Sequence, residues 1–325
     1  MTRILVVGGG ISGLTVAHAL AGLTAPDEVT IEVREADDRL GGKLRTSPFA
    51  GRPAVDEGAD AFLARVPHGT ALARTVGLGD ELTSPTGATA SVWHDGLHPI
   101  PEGLMLGVPA DLLKLSASRL LSVRGKLRAG LEPLLPRRGD PDDSIGALVR
   151  SRFGDEVQDR LVDALVGSIY AADTDRFSLA MVPQLAALAG KGRSLLLSAR
   201  QLKAAAPANT GPIFHAPLGG MASLVDAVAA AARARGVTLT TARRVTALHA
   251  DGPRWRVDDD AFDAVVLATP AGPTAPVLAA AAPEAARLMA TMDHAGVVLI
   301  TMAVDDWPDR LYGRSGYLVP KADQT

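Results

Sequence analysis

The chain opens on a short, unbroken apolar run, Ile4 to Val7, of the β-branched kind that suits a strand buried on both faces. Glycines follow. Apolar positions then recur at helical spacing, with Leu14, Ala17 and Ala21 on one face, which predicts a helix over about Ser12 to Leu23. A second β-branched run, Val29 to Val33, predicts a second strand. Far downstream, Pro217 to Gly236 reads as a Gly-Gly turn feeding an amphipathic helix that stops at Gly236. Val237 to Ala271 alternates β-like runs with turn residues at Asp251-Gly252-Pro253 and Asp258 to Asp260. The intervening Leu104 to Gln201 reads as mostly helical. There Val157, Leu161 and Leu165 recur four apart beside Val162 and Val166, and Asp143 or Ser144 caps a helix beginning SIGALVRSRF. Trp93, Gly96 and Pro99 predict a hairpin.

The first glycines carry chemistry. Gly8, Gly10 and Gly13 satisfy G-x-G-x-x-G between the first strand and the first helix. The first glycine makes a tight turn, the second admits a pyrophosphate to the backbone, and the third lets helix and strand pack closely. The helix N-terminus adds free N–H groups and positive dipole. At the end of the second strand stands Glu35, where a carboxylate can accept hydrogen bonds from both ribose hydroxyls. Strand, glycine loop, helix, strand and acid in that order predict dinucleotide binding. After Glu35 come Arg39, Gly41, Gly42 and Lys43. A second glycine pair flanked by cations suits a flavin nucleotide, which extends further along the sheet edge than NAD does.

EADDRLGGKLRT resembles the E-x-x-x-R-x-G-G motif of the two-domain flavoproteins that include amine oxidases, phytoene desaturases and protoporphyrinogen oxidases. Three further stretches resemble the porphyrinogen oxidases among them: GLHPIPEGLMLGVPADL, VGSIYAADTDRFSLAMVPQL and GRSGYLVP. GADAFLAR is similar to a stretch of their soluble bacterial, coproporphyrinogen-oxidising branch. The resemblance implies an α/β fold. A discontinuous Rossmann-like FAD-binding domain would span 1–88 and 208–272, a helical insertion 104–207, and a mixed-sheet substrate domain 89–103 and 273–325. It implies non-covalent FAD held by Gly8, Gly9, Gly10, Ile11, Ser12, Gly13, Glu35, Ala36, Arg39, Gly42 and Lys43, by Gly58, Ala59, Asp60 and Ala61, and by the main chain of Val245 at the adenine.

The activity implied is six-electron oxidation of a porphyrinogen to a porphyrin in haem biosynthesis. FAD takes electrons in pairs, and molecular oxygen reoxidises it with release of hydrogen peroxide. Coproporphyrinogen III is the expected substrate. Protoporphyrinogen IX, another amine- or carotenoid-type oxidation, and a non-catalytic flavin-binding fragment are the alternatives. No catalytic residue stands out; Ser168 and Tyr170 are candidates for the pocket wall. Two departures from the family stretch are notable: its glycines stand here as Ser168 and Ala172. The family also continues well beyond GYLVPKADQT, so the chain is expected to be a piece of the whole, unstable or inactive by itself.

Composition adds mainly exclusions. The 325 residues are 47% hydrophobic and 21% charged, as in ordinary globular proteins. The net charge of −3 gives no global reason to expect nucleic acid as a partner. With no cysteine, disulfides, thiol nucleophiles and Cys-ligated clusters are excluded, and a reducing cytoplasm is the expected compartment. No metal is expected: H-E-x-x-H is absent, and His94 and His98 fall on the predicted hairpin. Glycines interrupt the N-terminal apolar run, which argues against a secretory leader. No run reaches the ~18–20 apolar residues of a spanning helix. Lys114 to Arg138 holds seven basic residues and one acid, interleaved with Leu112, Leu113, Leu120, Leu121, Leu127 and Leu131. That is a solvated face over a core or a surface for peripheral membrane contact. Oligomeric state is not legible.

Overall fold

The computed structural model describes all residues except Pro26, 137–143, 206–210, Trp307 and Thr325, with only the backbone of Arg310. The candidate cap Asp143 and the basic residues Arg137 and Arg138 lie outside the described residues. The chain divides into two compact units, Met1–Pro85 with Gly211–Ala303 and Thr86–Thr210 with Val304–Thr325.

The first unit is built on a parallel sheet. Strand β1 (Thr2–Val7) leads into α1 (Ile11–Leu23) and β2 (Val29–Arg34). After the chain returns come α2 (Met221–Ala234), β3 (Thr238–Thr240), an antiparallel meander β4 (His249–Asp251), β5 (Arg254–Val257) and β6 (Asp260–Phe262), and then β7 (Ala264–Leu267). The sheet order is β3-β2-β1-β7, all parallel, with Val7 level with both Arg34 and Leu267. Side chains alternate across it. Val6, Ile31 and Val33 pack with Ala17 of α1 and Ala232 of α2, whereas Leu5 and Val7 pack with Val257 and Phe262 of the meander. Both faces are covered, which is why β1 reads as a continuous apolar run. Burying each such side chain contributes roughly 1.5–3 kcal/mol. Residues 292–304, towards the end of this return, carry no regular structure, and Val297, Val298, Ile300 and Met302 are all at least 74% exposed.

The second unit is helical around one core that includes Ile145, Leu148, Phe153, Leu161, Val162, Leu185 and Leu188. Ser144 caps the helix Ile145–Phe153 by accepting from the Ala147 N–H. Arg314–Leu318 pairs parallel with Thr89–Trp93, which forms the predicted hairpin with Leu97–Pro99. Two expectations change. Residues 104–109 are a small antiparallel ladder rather than helix, bent back at Leu106 and Gly107, which both have positive φ. Gln158–Gly167 is a π-helix, whose i→i+5 bonding is wider than the α spacing read from the sequence, so Leu165 is only half-buried while Val166 is fully buried. In the basic segment, Leu120 and Leu121 are core, whereas Leu113, Leu127 and Leu131 are exposed. No helix among the described residues is long and apolar enough to cross a membrane.

A buried ion pair ties this unit together. Glu132 and Arg152 are both inaccessible to solvent and bonded to each other. Glu132 also accepts from Ser194 and from the Leu195 and Leu196 N–H groups, capping the helix Leu195–Ala205 from a distance. Arg152 donates its remaining hydrogens to the carbonyls of Pro136 and Arg193. Every polar atom has a partner, so removing one side chain strands the others. Glu132→Ala is expected to cost about 3–5 kcal/mol of unfolding free energy, read by chemical denaturation. A loss below ~1 kcal/mol would show that the pair is not what holds these helices.

Candidate cofactor site

The site grows from the close approach of α1 to β1. A Cβ on Gly13 would stand 2.0 Å from the Gly8 carbonyl oxygen, a distance no side chain tolerates. Gly8 has φ +105° and leaves no room beside Ala268 and Thr269 of the strand end after β7. Gly10 differs: a Cβ there would meet nothing within 4 Å. Its open face lies on the wall of a cavity of about 580 Å³, at the N-terminus of α1, where no side chain caps the first turn. The free N–H groups and helix dipole make that a place for an anion.

Glu35 is held between the first loop and the strand edge. One carboxylate oxygen accepts from the Gly9 N–H at 2.6 Å and the other from the Asp37 N–H at 2.9 Å. Its own N–H donates to the Thr240 carbonyl, and its carbonyl accepts from the Arg243 N–H. These bonds carry the segment of Arg243 to Val245 alongside Glu35 to Asp37.

The second glycine pair has a role that its motif does not reveal. The Gly41 N–H donates to the Gly9 carbonyl at 2.9 Å, and Gly10 and Gly41 form a parallel bridge. A Cβ on Gly42 would lie 3.3 Å from the Gly10 Cα. The two loops thus touch backbone to backbone. Arg39 clamps the second loop from behind by donating to the carbonyls of Leu40, Gly42 and Leu44.

The cavity brings together Gly8, Gly10, Ile11, Ser12, Glu35, Ala36, Gly42, Lys43 and Val245 from the residues that the sequence singled out. Gly9 and Gly13 support the loop without lining it. Arg39 lines a separate cavity of about 550 Å³ with Arg45 and Arg233. Gly58, Ala59, Asp60 and Ala61 lie away from this wall, though Gly58 rests against the Lys43 carbonyl. Ser168 and Tyr170 belong to the other unit. The Ser168 hydroxyl bonds back to the Ala164 carbonyl, and the Tyr170 ring lies against Phe177, tilted by 47° with 5.1 Å between centroids, and is 41% exposed. Sequence reasoning passed over Arg34, Asp37, Arg244, Thr269, Pro270 and Pro273, which also line the cavity. Arg244, next to Val245, was the readable one. Neither the Lys43 nor the Arg244 side chain has an ion-pair partner among the described residues, so both charges are free for an anionic ligand.

The profile of the flavin containing amine oxidoreductases matches residues 11–323. The chain belongs to that family. The chain is 33% identical over 308 residues to a coproporphyrinogen III oxidase of Mycobacterium leprae, covering 92% of this chain and 66% of the relative. It is 34% identical to one from Propionibacterium freudenreichii, covering 94% and 63%. It spans a little under two thirds of the length of these curated relatives. Among solved structures, a putative protoporphyrinogen oxidase from Exiguobacterium is similar with TM-score 0.72 at 29% identity, covering 85% of this chain and 61% of that one. Cyclohexylamine oxidase from Brevibacterium oxydans shares the fold, with TM-score 0.60 at 19% identity over 89% of this chain and 63% of that one. The family's cofactor is a flavin, and this cavity fits its dinucleotide form, FAD: the free cations and the uncapped helix end suit the pyrophosphate, and Glu35 suits a ribose.

Gly10 allows a clean test. Gly10→Val has room to fold but places methyls in the cavity, so flavin per chain is expected to fall to background while the circular dichroism melt holds. Gly13→Ala is expected to lose the fold with the flavin. Undiminished flavin in Gly10→Val would sink the assignment.

Proposed function

We propose that the whole protein oxidises a porphyrinogen to a porphyrin with FAD and molecular oxygen, acting on coproporphyrinogen III to give coproporphyrin III and hydrogen peroxide. The observation that carries this is the cavity itself, which gathers the glycine loop, Glu35 and Lys43 of one flavin motif, in a chain whose curated relatives are named for that oxidation. The Gly8 to Ser12 backbone and the α1 N-terminus would hold the pyrophosphate, with Lys43 and Arg244 neutralising its charge. Glu35 would hold the ribose, and the Val245 main chain the adenine. Bound FAD supplies two-electron acceptance and, when reduced, reactivity toward oxygen. The chain's residues bind and orient; none is assigned a proton. Ser168 and Tyr170 are our candidates for the substrate side. The exposed Leu113, Leu127 and Leu131 among basic residues support peripheral contact with an anionic membrane by a cytoplasmic protein. We retain the three-domain division given above, with its boundaries at 88, 104, 208 and 273, as our reading.

A substrate with four propionates carries more charge than one with two, and charge recognition weakens with salt. Anaerobic flavin reduction by coproporphyrinogen III and protoporphyrinogen IX tests the proposal. In steady-state turnover at equal oxygen, the kcat/KM ratio is expected to favour coproporphyrinogen, and added salt should narrow it. A loaded flavin reduced by neither would refute the reading and leave a flavin-binding module. Preference for protoporphyrinogen without a salt effect would overturn the substrate.

A further inference from the structure

Behind the wall that carries Glu35 lies a cluster of six charged side chains, all in the first unit. Its centre is Arg34, the last residue of β2, whose side chain is 0% exposed. Its guanidinium donates to Glu32 at 2.7 Å, to Asp260 at 2.5 Å and to Asp258 at 3.3 Å, and lies over the Phe262 ring at 5.2 Å. Arg243 adds a bond to Asp260 at 2.9 Å, and Arg3 approaches the same carboxylate at 3.5 Å. Three cations thus meet three anions. The bond from Arg34 holds the Asp260 carboxyl below the usual carboxylate range.

The cluster adds side-chain bonds between β2 and the start of β6 to the main-chain bonds that hold Glu35 beside Thr240 and Arg243. Asp258 belongs to the turn between β5 and β6, Asp260 opens β6, and Glu32 and Arg34 belong to β2. One residue beyond Arg34 is Glu35, and one beyond Arg243 is Arg244, followed by Val245; all three line the cavity. Buried ion clusters are often no more stabilising than apolar replacements, and their best-attested use is to fix one arrangement among several.

We propose that Arg34 is a positioning residue for the adenosine half of FAD, acting through the β5–β6 turn to fix Glu35 against Arg244 and Val245. The proposal rests on the reading that this cavity holds FAD. Arg34 also lines the cavity, but its side chain is 0% exposed, so in this role the guanidinium acts through its neighbours. Its planar fork reaches three carboxylates at once, which the single ammonium of lysine does not do.

Two variants separate placement from folding. Arg34→Lys keeps the charge and loses the fork. Asp258→Gly removes one partner at a position that is 40% exposed and has φ +53°, a conformation glycine adopts freely, so its unliganded melting temperature should stay at that of the unaltered protein. Binding of FAD and of ADP, which reports the adenosine half alone, is measured by calorimetry. The Kd is expected to rise about tenfold for both ligands in Arg34→Lys and roughly threefold in Asp258→Gly, with equal factors for ADP and FAD and an unaltered visible absorption band shape for the bound flavin. Unchanged affinities in both variants, with FAD still bound, would overturn the inference and spare the cavity assignment. Affinity that falls only in step with the melting temperature would also overturn it, as a purely structural role. An unaltered protein that binds neither FAD nor ADP would overturn the assignment and the inference together.

Discussion

The first unit depends on one steric constraint: the backbone of α1 must come within contact of the backbone of β1, with nothing between them. Gly13 against the Gly8 carbonyl sets that distance. Once it is set, the helix N-terminus points along the sheet edge, and its uncapped N–H groups have nowhere to go except the cavity. Gly41 then docks on Gly9 by a backbone bond. The cradle is therefore made of main chain, and the side chains around it steer charge.

Charge is used in two ways. In the second unit the Glu132–Arg152 pair is sealed, with each hydrogen-bonding group taken up by the protein, and it organises helix ends. In the first unit the cations divide by whether they have partners. Arg34 and Arg39 are fully engaged, by carboxylates and by carbonyls respectively, whereas Lys43 and Arg244 are left facing the cavity. A cation without a partner beside an open anion-binding backbone is where a ligand's charge does most for affinity.

Much of this was legible in the chain itself because the signals are local. Strand, glycine loop, helix, strand and acid lie within the first 35 residues, and each step has its own residue type. Long-range facts were not legible. The bond from Gly41 to Gly9 joins residues that the motif treats as independent, and the motif does not show that Arg39 donates to the carbonyls of its own loop. Nothing in VTIEVR says that its final arginine is buried, because its partners Asp258 and Asp260 are more than 200 positions away. In the helical unit, the four-residue spacing at Val157, Leu161 and Leu165 suits an ordinary α-helix, and only the observed i→i+5 ladder shows which of those positions faces the core.

The unstructured return at residues 292–304 has a bearing on handling. GVVLITMAV is β-branched, uncharged and free of proline, and most of it is open to solvent. Its backbone donors and acceptors are not committed to any ladder, so two molecules can pair there edge to edge at modest cost. These exposed apolar residues make the segment a place where self-association can begin. A chaperone, a detergent monomer or a lysine placed within the run would act on the same vulnerability, whereas changes to the flavin cradle would leave it untouched.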